Sequence, residues 1–249
     1  MDEQSLSDFL AWEPDYPEAI LDQGLMYTGT KVMLYGRYKS MKSMLAQRFA
    51  VSVADGKPWL GFNTPADGAS VFYLQSEIPH RLLQTRLRKM LRGTNGRLKK
   101  ELIIWTNNSI KLDSPIGYNM LEKKLEKHQS QVLIVDPVYK VLTGDMNEQG
   151  QISGFLDNMD RLIDKTGVTV LLVSHSRKAI SDADTWGTDD MLGSVFFSAW
   201  PDSVIQVARD HQLLTVKFDV VRNAEREIDP VYVNVDAELQ FDKMTLKLK

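Results

Sequence analysis

The sequence predicts an α/β fold: a mostly parallel central sheet flanked by helices, with antiparallel strands at its C-terminal end. Two observations carry this. Short runs of continuous apolar residues, such as Val132-Leu-Ile-Val-Asp136, recur between stretches of helical period, as in strands buried on both faces. After Trp200 the pattern changes to successive strand-like runs joined by short turns.

Taken in order, residues 1–30 carry scattered Trp, Pro and Gly and read as an arm leading into the fold. Strands are expected at 31–35, 70–75, 101–105, 131–136 and 168–174, and helices at 41–54, 80–91, 117–128 and 152–165. The helix at 80–91 places Leu83, Leu87, Met90 and Leu91 on one stripe. Strands at 203–208, 213–221, 230–235 and 239–248 read as an antiparallel extension of the same sheet. No linker, repeat or low-complexity tract divides the sequence, so residues 1–249 read as one domain.

Composition narrows the function. Lys plus Arg number 30 against 33 Asp plus Glu, a net charge of −3, which rules out a uniformly basic nucleic-acid coat. There is no Cys, hence no disulfide or thiolate metal site, and 4 His make a structural zinc site a poor expectation. No apolar run approaches the ~20 residues that span a bilayer. The acidic start MDEQSLSDFLAWEPD has no apolar signal core, and a cytoplasmic protein is expected.

The strand at 31–35 ends in Gly36-Arg37-Tyr38-Lys39-Ser40-Met41-Lys42-Ser43, followed by Met44 and a helix. Apart from one position, this is the phosphate loop G-x-x-x-x-G-K-[ST], whose amides ring phosphates at a helix N-terminus. Lys42 would reach the β- and γ-phosphates of ATP, and the Ser43 hydroxyl would hold Mg²⁺. Met41 replaces the second glycine; if that position needs positive φ the substitution is costly, and a Cβ there could crowd the loop. Lys39 reads equally as a phosphate contact or a solvated lysine.

Asp136 ends an apolar strand, where a carboxylate can join the Mg²⁺ shell or cap the next segment. Pro137 follows it, so a water-activating base must come from elsewhere. Glu77, just past the strand at 70–75, falls on the same rim and can orient water; otherwise it is an acidic residue at the start of the next helix.

In order and spacing this set resembles the RecA-like hexameric replicative helicases, closest to the plasmid RepA type. Asp136-Pro-Val-Tyr-Lys-Val-Leu-Thr-Gly-Asp-Met-Asn147 looks like that family's metal-binding strand and following loop, and Val173-Ser-His175 like its motif with a γ-phosphate sensor. Gly193-Ser194 with Ala199-Trp-Pro-Asp202 looks like its G-S…A-D segment, and Lys217–Asn223 like the late strand whose Arg222 acts in trans as an arginine finger. The resemblance, running from about residue 25 to 235, implies a RecA-like P-loop NTPase core that uses ATP and Mg²⁺. It also implies a DNA helicase or translocase working as a homo-oligomeric, hexameric ring with ATP hydrolysed between subunits. Val220 stands where relatives often carry Lys. Read as residues alone, His175 is equally a satisfied strand-end histidine, and Arg222 a surface cation paired with Glu225 or Glu227.

Single-stranded DNA would be held by loops lining a channel. Residues 176–190, with Arg177 and Lys178, are the first candidate, and 144–151 the second. Residues 80–100 hold eight Lys or Arg and no acid, a segment suited to nucleic acid, to an acidic neighbouring subunit or simply to water. Two other readings stay open: a RecA-like filament or recombination and repair ATPase, and a nucleotide-binding regulator with weak hydrolysis.

Overall fold

Alternation within each strand sorts the apolar side chains into two cores, and the sheet lies between them. The computed structural model describes residues 3–14, 16–92, 96–144, 149–176, 197, 199–211 and 213–244. Helix α1 (Leu6–Ala11) precedes a small hairpin, β1 (Ala19–Leu21) and β2 (Met26–Tyr27). Then follow β3 (Lys31–Gly36), α2 (Lys42–Asp55), β4 (Val71–Gln75), α3 (His80–Met90), β5 (Leu102–Thr106) and α4 (Pro115–His128). After β6 (Val132–Asp136) comes a 3₁₀ turn, Val138–Val141, and then α5 (Gln149–Thr166) and β7 (Thr169–His175). The last strands are β8 (Ser203–Asp210), β9 (Leu213–Val221), β10 (Val231–Val235) and β11 (Phe241–Met244).

The nine strands β3 to β11 form one sheet in the order β11-β10-β9-β8-β3-β7-β6-β4-β5. The six from β8 to β5 are parallel, and β9, β10 and β11 are antiparallel. Val32 and Leu34 of β3 enter the core under α2, while Met33 and Tyr35 enter the one under α4 and α5. β4, β6 and β7 divide the same way, which is why these strands read as unbroken apolar runs.

Two details depart from the sequence reading. Strand β8 belongs to the parallel set, paired with β3 from Val32↔Ser203 to Gly36↔Val207, and the antiparallel extension starts at β9. Asp202 fixes this: its carboxylate accepts from the Lys31 amide at 2.9 Å, and its own amide donates to the Lys31 carbonyl at 2.8 Å. Within the stretch read as an arm, Ile20, Leu21, Leu25 and Met26 are at most 1% exposed and complete the core beneath α2. Their short runs, broken by Gly24, left no period to read.

The turn into α4 steadies the segment after β6. Ser114 caps the helix by accepting from the Gly117 amide at 3.1 Å, and Pro115 occupies the first turn. The backbone folds back so tightly that a Cβ on Gly117 would lie 1.9 Å from the Lys111 carbonyl oxygen. That fold lets the Lys111 ammonium donate to the carbonyls of Lys140 and Leu142, at 2.8 and 2.7 Å, across the 3₁₀ turn. Among the described residues no helix is long and apolar enough to cross a membrane.

Gly117→Ala tests this packing. In an ordinary helix interior alanine gains ~1 kcal/mol over glycine. Here the added methyl must displace backbone, and a net loss on the order of 1–3 kcal/mol is expected. It would appear as a lower urea midpoint with unchanged slope; a midpoint at or above wild type would refute the close approach.

Candidate active site

Parallel pairing brings the ends of separate strands to one rim. Gly36 lies opposite His175 and Val207, and Gln75 opposite Asp136. Ligands of open α/β sheets sit at this C-terminal rim. Glu77, two residues beyond β4, is therefore carried to the same edge.

The loop from Gly36 to Ser43 needs glycine at its first position because of crowding: a Cβ on Gly36 would meet the Val207 carbonyl oxygen at 2.2 Å. At its end, Met41 takes φ 66°, ψ 17° and serves as the N-cap of α2 without a side-chain hydrogen bond. The left-handed conformation that glycine would adopt is thus present with a methionine in it, at a cost of roughly 1 kcal/mol or somewhat more. The thioether side chain packs against the core beneath α2, which offsets part of that cost. First-turn amides of α2, left without helical acceptors, remain free to meet an anion.

Lys42, 5% exposed, is the first residue of α2. Its ammonium donates to the carbonyls of Gly36 at 2.8 Å and Arg37 at 2.7 Å, and lies 3.4 Å from the Ser40 hydroxyl. Burial pushes its pKa down to about 8, against the pull of Asp136 and Glu77. Asp136 is 1% exposed. Ser43 Oγ donates to its Oδ1 at 2.9 Å, and Tyr73 OH, from β4, donates to its Oδ2 at 2.5 Å. Burial raises the carboxyl pKa, and the Tyr73 and Ser43 bonds resist that rise. The same burial and the adjacent Asp136 hold the Tyr73 phenol well above its usual range.

On the other side of the cleft Glu77 is exposed and accepts from Tyr139 OH at 3.1 Å. The Tyr139 ring lies 5.4 Å from that of His175, and the Tyr38 ring lies 6.1 Å from it. Burial and the nearby Lys42 charge lower the His175 pKa to about 4, so the ring is neutral at pH 7. Burial and then Glu77 push the Tyr139 phenol up to about 12.

These groups enclose a cleft of about 350 Å³ lined by Tyr38, Lys39, Ser40, Met41, Lys42, Ser43, Met44, Glu77, Asp136 and His175. Arg37 lines a second cleft of about 440 Å³ across the loop, with Tyr38, Gln206, Arg209 and Lys217. Two cations of the first cleft escaped sequence reading. Arg86 lines it from α3, and its place was legible: it falls on the stripe of Leu83, Leu87 and Met90 that faces inward. Arg209, at the end of β8, lines both clefts and carried no such signal.

Arg222 is not brought to this rim. It follows β9, which runs antiparallel to β8, so it sits beside Ser203 at the opposite rim, where its guanidinium donates to the Ala199 carbonyl at 2.6 Å. Its own phosphate loop lies a strand length away, roughly 17–20 Å. Arg177, Lys178, Gly193 and Ser194 lie outside the described residues.

The donor set fits a magnesium–polyphosphate. A desolvated ammonium, free helix amides, a hydroxyl and one buried carboxylate converge in a single cleft. Among the described residues no cluster of three His, Asp or Glu forms an all-protein cage. Mg²⁺ does not need one, because it keeps waters and takes phosphate oxygens as ligands.

Residues 2–181 match the AAA domain family, a span that contains every cleft residue from Tyr38 to His175. The chain belongs to this family and is a P-loop ATPase. Among curated proteins none matches it.

Two outcomes follow for this P-loop ATPase. Below pH 8 Lys42 is charged both folded and unfolded, so its burial penalty is fully present. Between pH 8 and about 10.4 the unfolded chain holds the proton more tightly than the folded one, and the penalty fades. Without ligand, the stability of wild type minus that of Lys42→Met should thus be flat below pH 8 and rise by roughly 2–3 kcal/mol towards pH 10 in denaturant titrations. A difference that falls with pH would refute the desolvated ammonium. Met41→Gly relieves left-handed strain but loses packing, so stability should stay within about 1 kcal/mol of wild type. ATP affinity should stay within about threefold, because the backbone already has the glycine geometry; a gain of a hundredfold by calorimetry would show that the side chain obstructs the loop.

Proposed function

We propose that this ATPase is a ring-forming, ATP-driven translocase or helicase on single-stranded DNA, related to the RecA-like replicative helicases of the plasmid RepA type. The observation that carries the reading is Glu77: a carboxylate reaches the phosphate cleft from the end of β4, while Pro137 occupies the position after Asp136 where other P-loop ATPases carry their base.

In this reading the loop amides and Lys42 hold the β- and γ-phosphates of ATP, and Lys42 neutralises charge on the bridging oxygen as the bond to the γ-phosphorus breaks. Ser43 and Asp136 would hold Mg²⁺, whose charge helps to neutralise the phosphates. Glu77 accepts a hydrogen bond from the attacking water and takes its proton as the new P–O bond forms; Tyr139 steadies that carboxylate. Neutral His175 offers an N–H to the γ-phosphate and can report its loss to the loop that begins at Ser176. Arg86 adds a cation from the same chain. The second cleft, with Tyr38 and Arg209 in its lining, suits the base and ribose.

Arg222, on the far rim, would serve a phosphate only in another subunit, as hydrolysis between subunits requires. Arg177, Lys178 and their flanking loop are the proposed contact to single-stranded DNA.

The test is an ATPase assay with and without single-stranded DNA, beside particle imaging with a non-hydrolysable nucleotide. DNA should stimulate turnover, and closed rings should appear; helical filaments would favour a recombination-type ATPase. Glu77→Gln should lower kcat by about 10²–10³ while nucleotide still binds, and Lys42→Ala should lose both binding and turnover. Tight ATP binding with negligible turnover in wild type, DNA present, would overturn the motor reading.

A further inference from the structure

Strands β3, β8 and β9 carry a short polar row where the sheet is otherwise apolar. Gln206 stands opposite Tyr35 of β3 and opposite Lys217 of β9, so the three side chains share the face that packs beneath α4 and α5. The β8–β9 register slips between Val204 and Ile205, which leaves Asp219 without a partner in the ladder. Its carboxylate turns to Tyr35 instead. Tyr35 OH donates its single hydrogen to Asp219 Oδ2 at 2.5 Å, so towards Gln206 it can only accept, and it accepts from Gln206 Nε2 at 3.0 Å. This relay settles which way the carboxamide lies: nitrogen to Tyr35, oxygen away from it.

Gln206 is 2% exposed and lines the second cleft, and its Oε1 has no partner among the described residues. An amide oxygen held so far out of water without a partner is costly, and a ligand that supplies a donor removes that cost. The charged side chains around it are of the opposite kind: Arg37, Lys39, Arg209 and Lys217 line the same cleft and can only donate. The cleft thus sets a buried acceptor beside donors, with the Cβ atoms of Gln206 and Lys217 roughly 5 Å apart across the two strands. Adenine presents the matching edge, an N6 amine that donates beside a ring nitrogen that accepts. Guanine and hypoxanthine put a keto oxygen where that amine stands, lone pair against lone pair.

We propose that Gln206, oriented by Tyr35 and Asp219, selects adenine over 6-keto purines by accepting a hydrogen bond from the N6 amine, while Lys217 donates to the neighbouring ring nitrogen. Gln206 and Lys217 touch the base; Tyr35 and Asp219 are positioning residues that act through Gln206. The assignment rests on the reading of the second cleft as the base site above, but not on DNA or on the number of subunits.

Calorimetry of the full chain with Mg²⁺ tests it, using three diphosphates that carry no γ-phosphate to hydrolyse: ADP, inosine diphosphate, and purine riboside diphosphate, whose base has a hydrogen in place of the amine. Wild type should bind ADP about tenfold or more tightly than inosine diphosphate, with purine riboside diphosphate between them. Gln206→Leu should bring ADP down to the level of purine riboside diphosphate, and leave the latter within about threefold of wild type. Tyr35→Phe keeps the ring in the core but frees the carboxamide to turn. ADP should then weaken and inosine diphosphate tighten, until the two differ by less than about threefold. A merely structural role for either side chain would weaken all three ligands alike, and that result overturns the proposal. Equal binding of ADP and inosine diphosphate by wild type also overturns it, as does a preference for ADP that survives in Gln206→Leu; if Arg209→Ala weakens every ligand in these cases, the base site itself stands. If neither Gln206→Leu nor Arg209→Ala changes any of the three affinities, the second cleft does not hold the base, and the reading beneath the proposal falls with it.

Discussion

Everything in the cleft is arranged around one buried cation. The Lys42 ammonium has left water, and the carbonyls of Gly36 and Arg37 replace only part of its hydration. A positive charge so placed is under-solvated by design, and a polyanion restores what burial removed. Asp136 is its mirror image: a carboxylate buried beyond comfort, oriented by Ser43 and Tyr73, and relieved by a cation. Each attracts the other across the cleft, and although both have hydrogen-bond partners, each still carries part of its burial cost uncompensated. Much of the attraction for a metal-bound phosphate chain is stored in that mutual shortfall.

The sheet delivers these groups with little help from the loops. Gly36, His175 and Asp136 end neighbouring parallel strands, and the pairing register sets their relative heights. Tyr73, one strand over, reaches Asp136 because alternate residues of β4 face the α2 side. Behind the rim, Lys111 pins the 3₁₀ turn that carries Tyr139, so the base candidate Glu77 is braced from the opposite core.

Much of this was legible in the sequence, for physical reasons. Continuous apolar runs could belong only to strands covered on both sides, and the strand–loop–helix junction at Gly36 to Ser43 put a lysine at a helix start. Glu77 and Asp136 were legible because strand ends converge in any parallel sheet. Other features lacked a local signal. The hairpin containing Ile20 and Met26 is too short for a period, and the direction of β8 depends on Asp202 gripping Lys31 across 171 residues. Arg86 was masked by the seven other cations around it, although its stripe betrayed it. Met41 is conspicuous by its type alone, but that its side chain packs against the core while its backbone takes the conformation of glycine depends on tertiary contacts with no local signal.

The placement of Arg222 has a wider consequence. The phosphate cleft and this arginine occupy opposite poles of the subunit, with the whole height of the sheet between them. Any repeated contact that brings one to the other gives the array a direction. An open stack would end in a bare cleft at one terminus and an idle arginine at the other, so its two tips would differ chemically and grow or shed subunits unequally. Closure on itself is the arrangement that removes both tips, and with them that inequality.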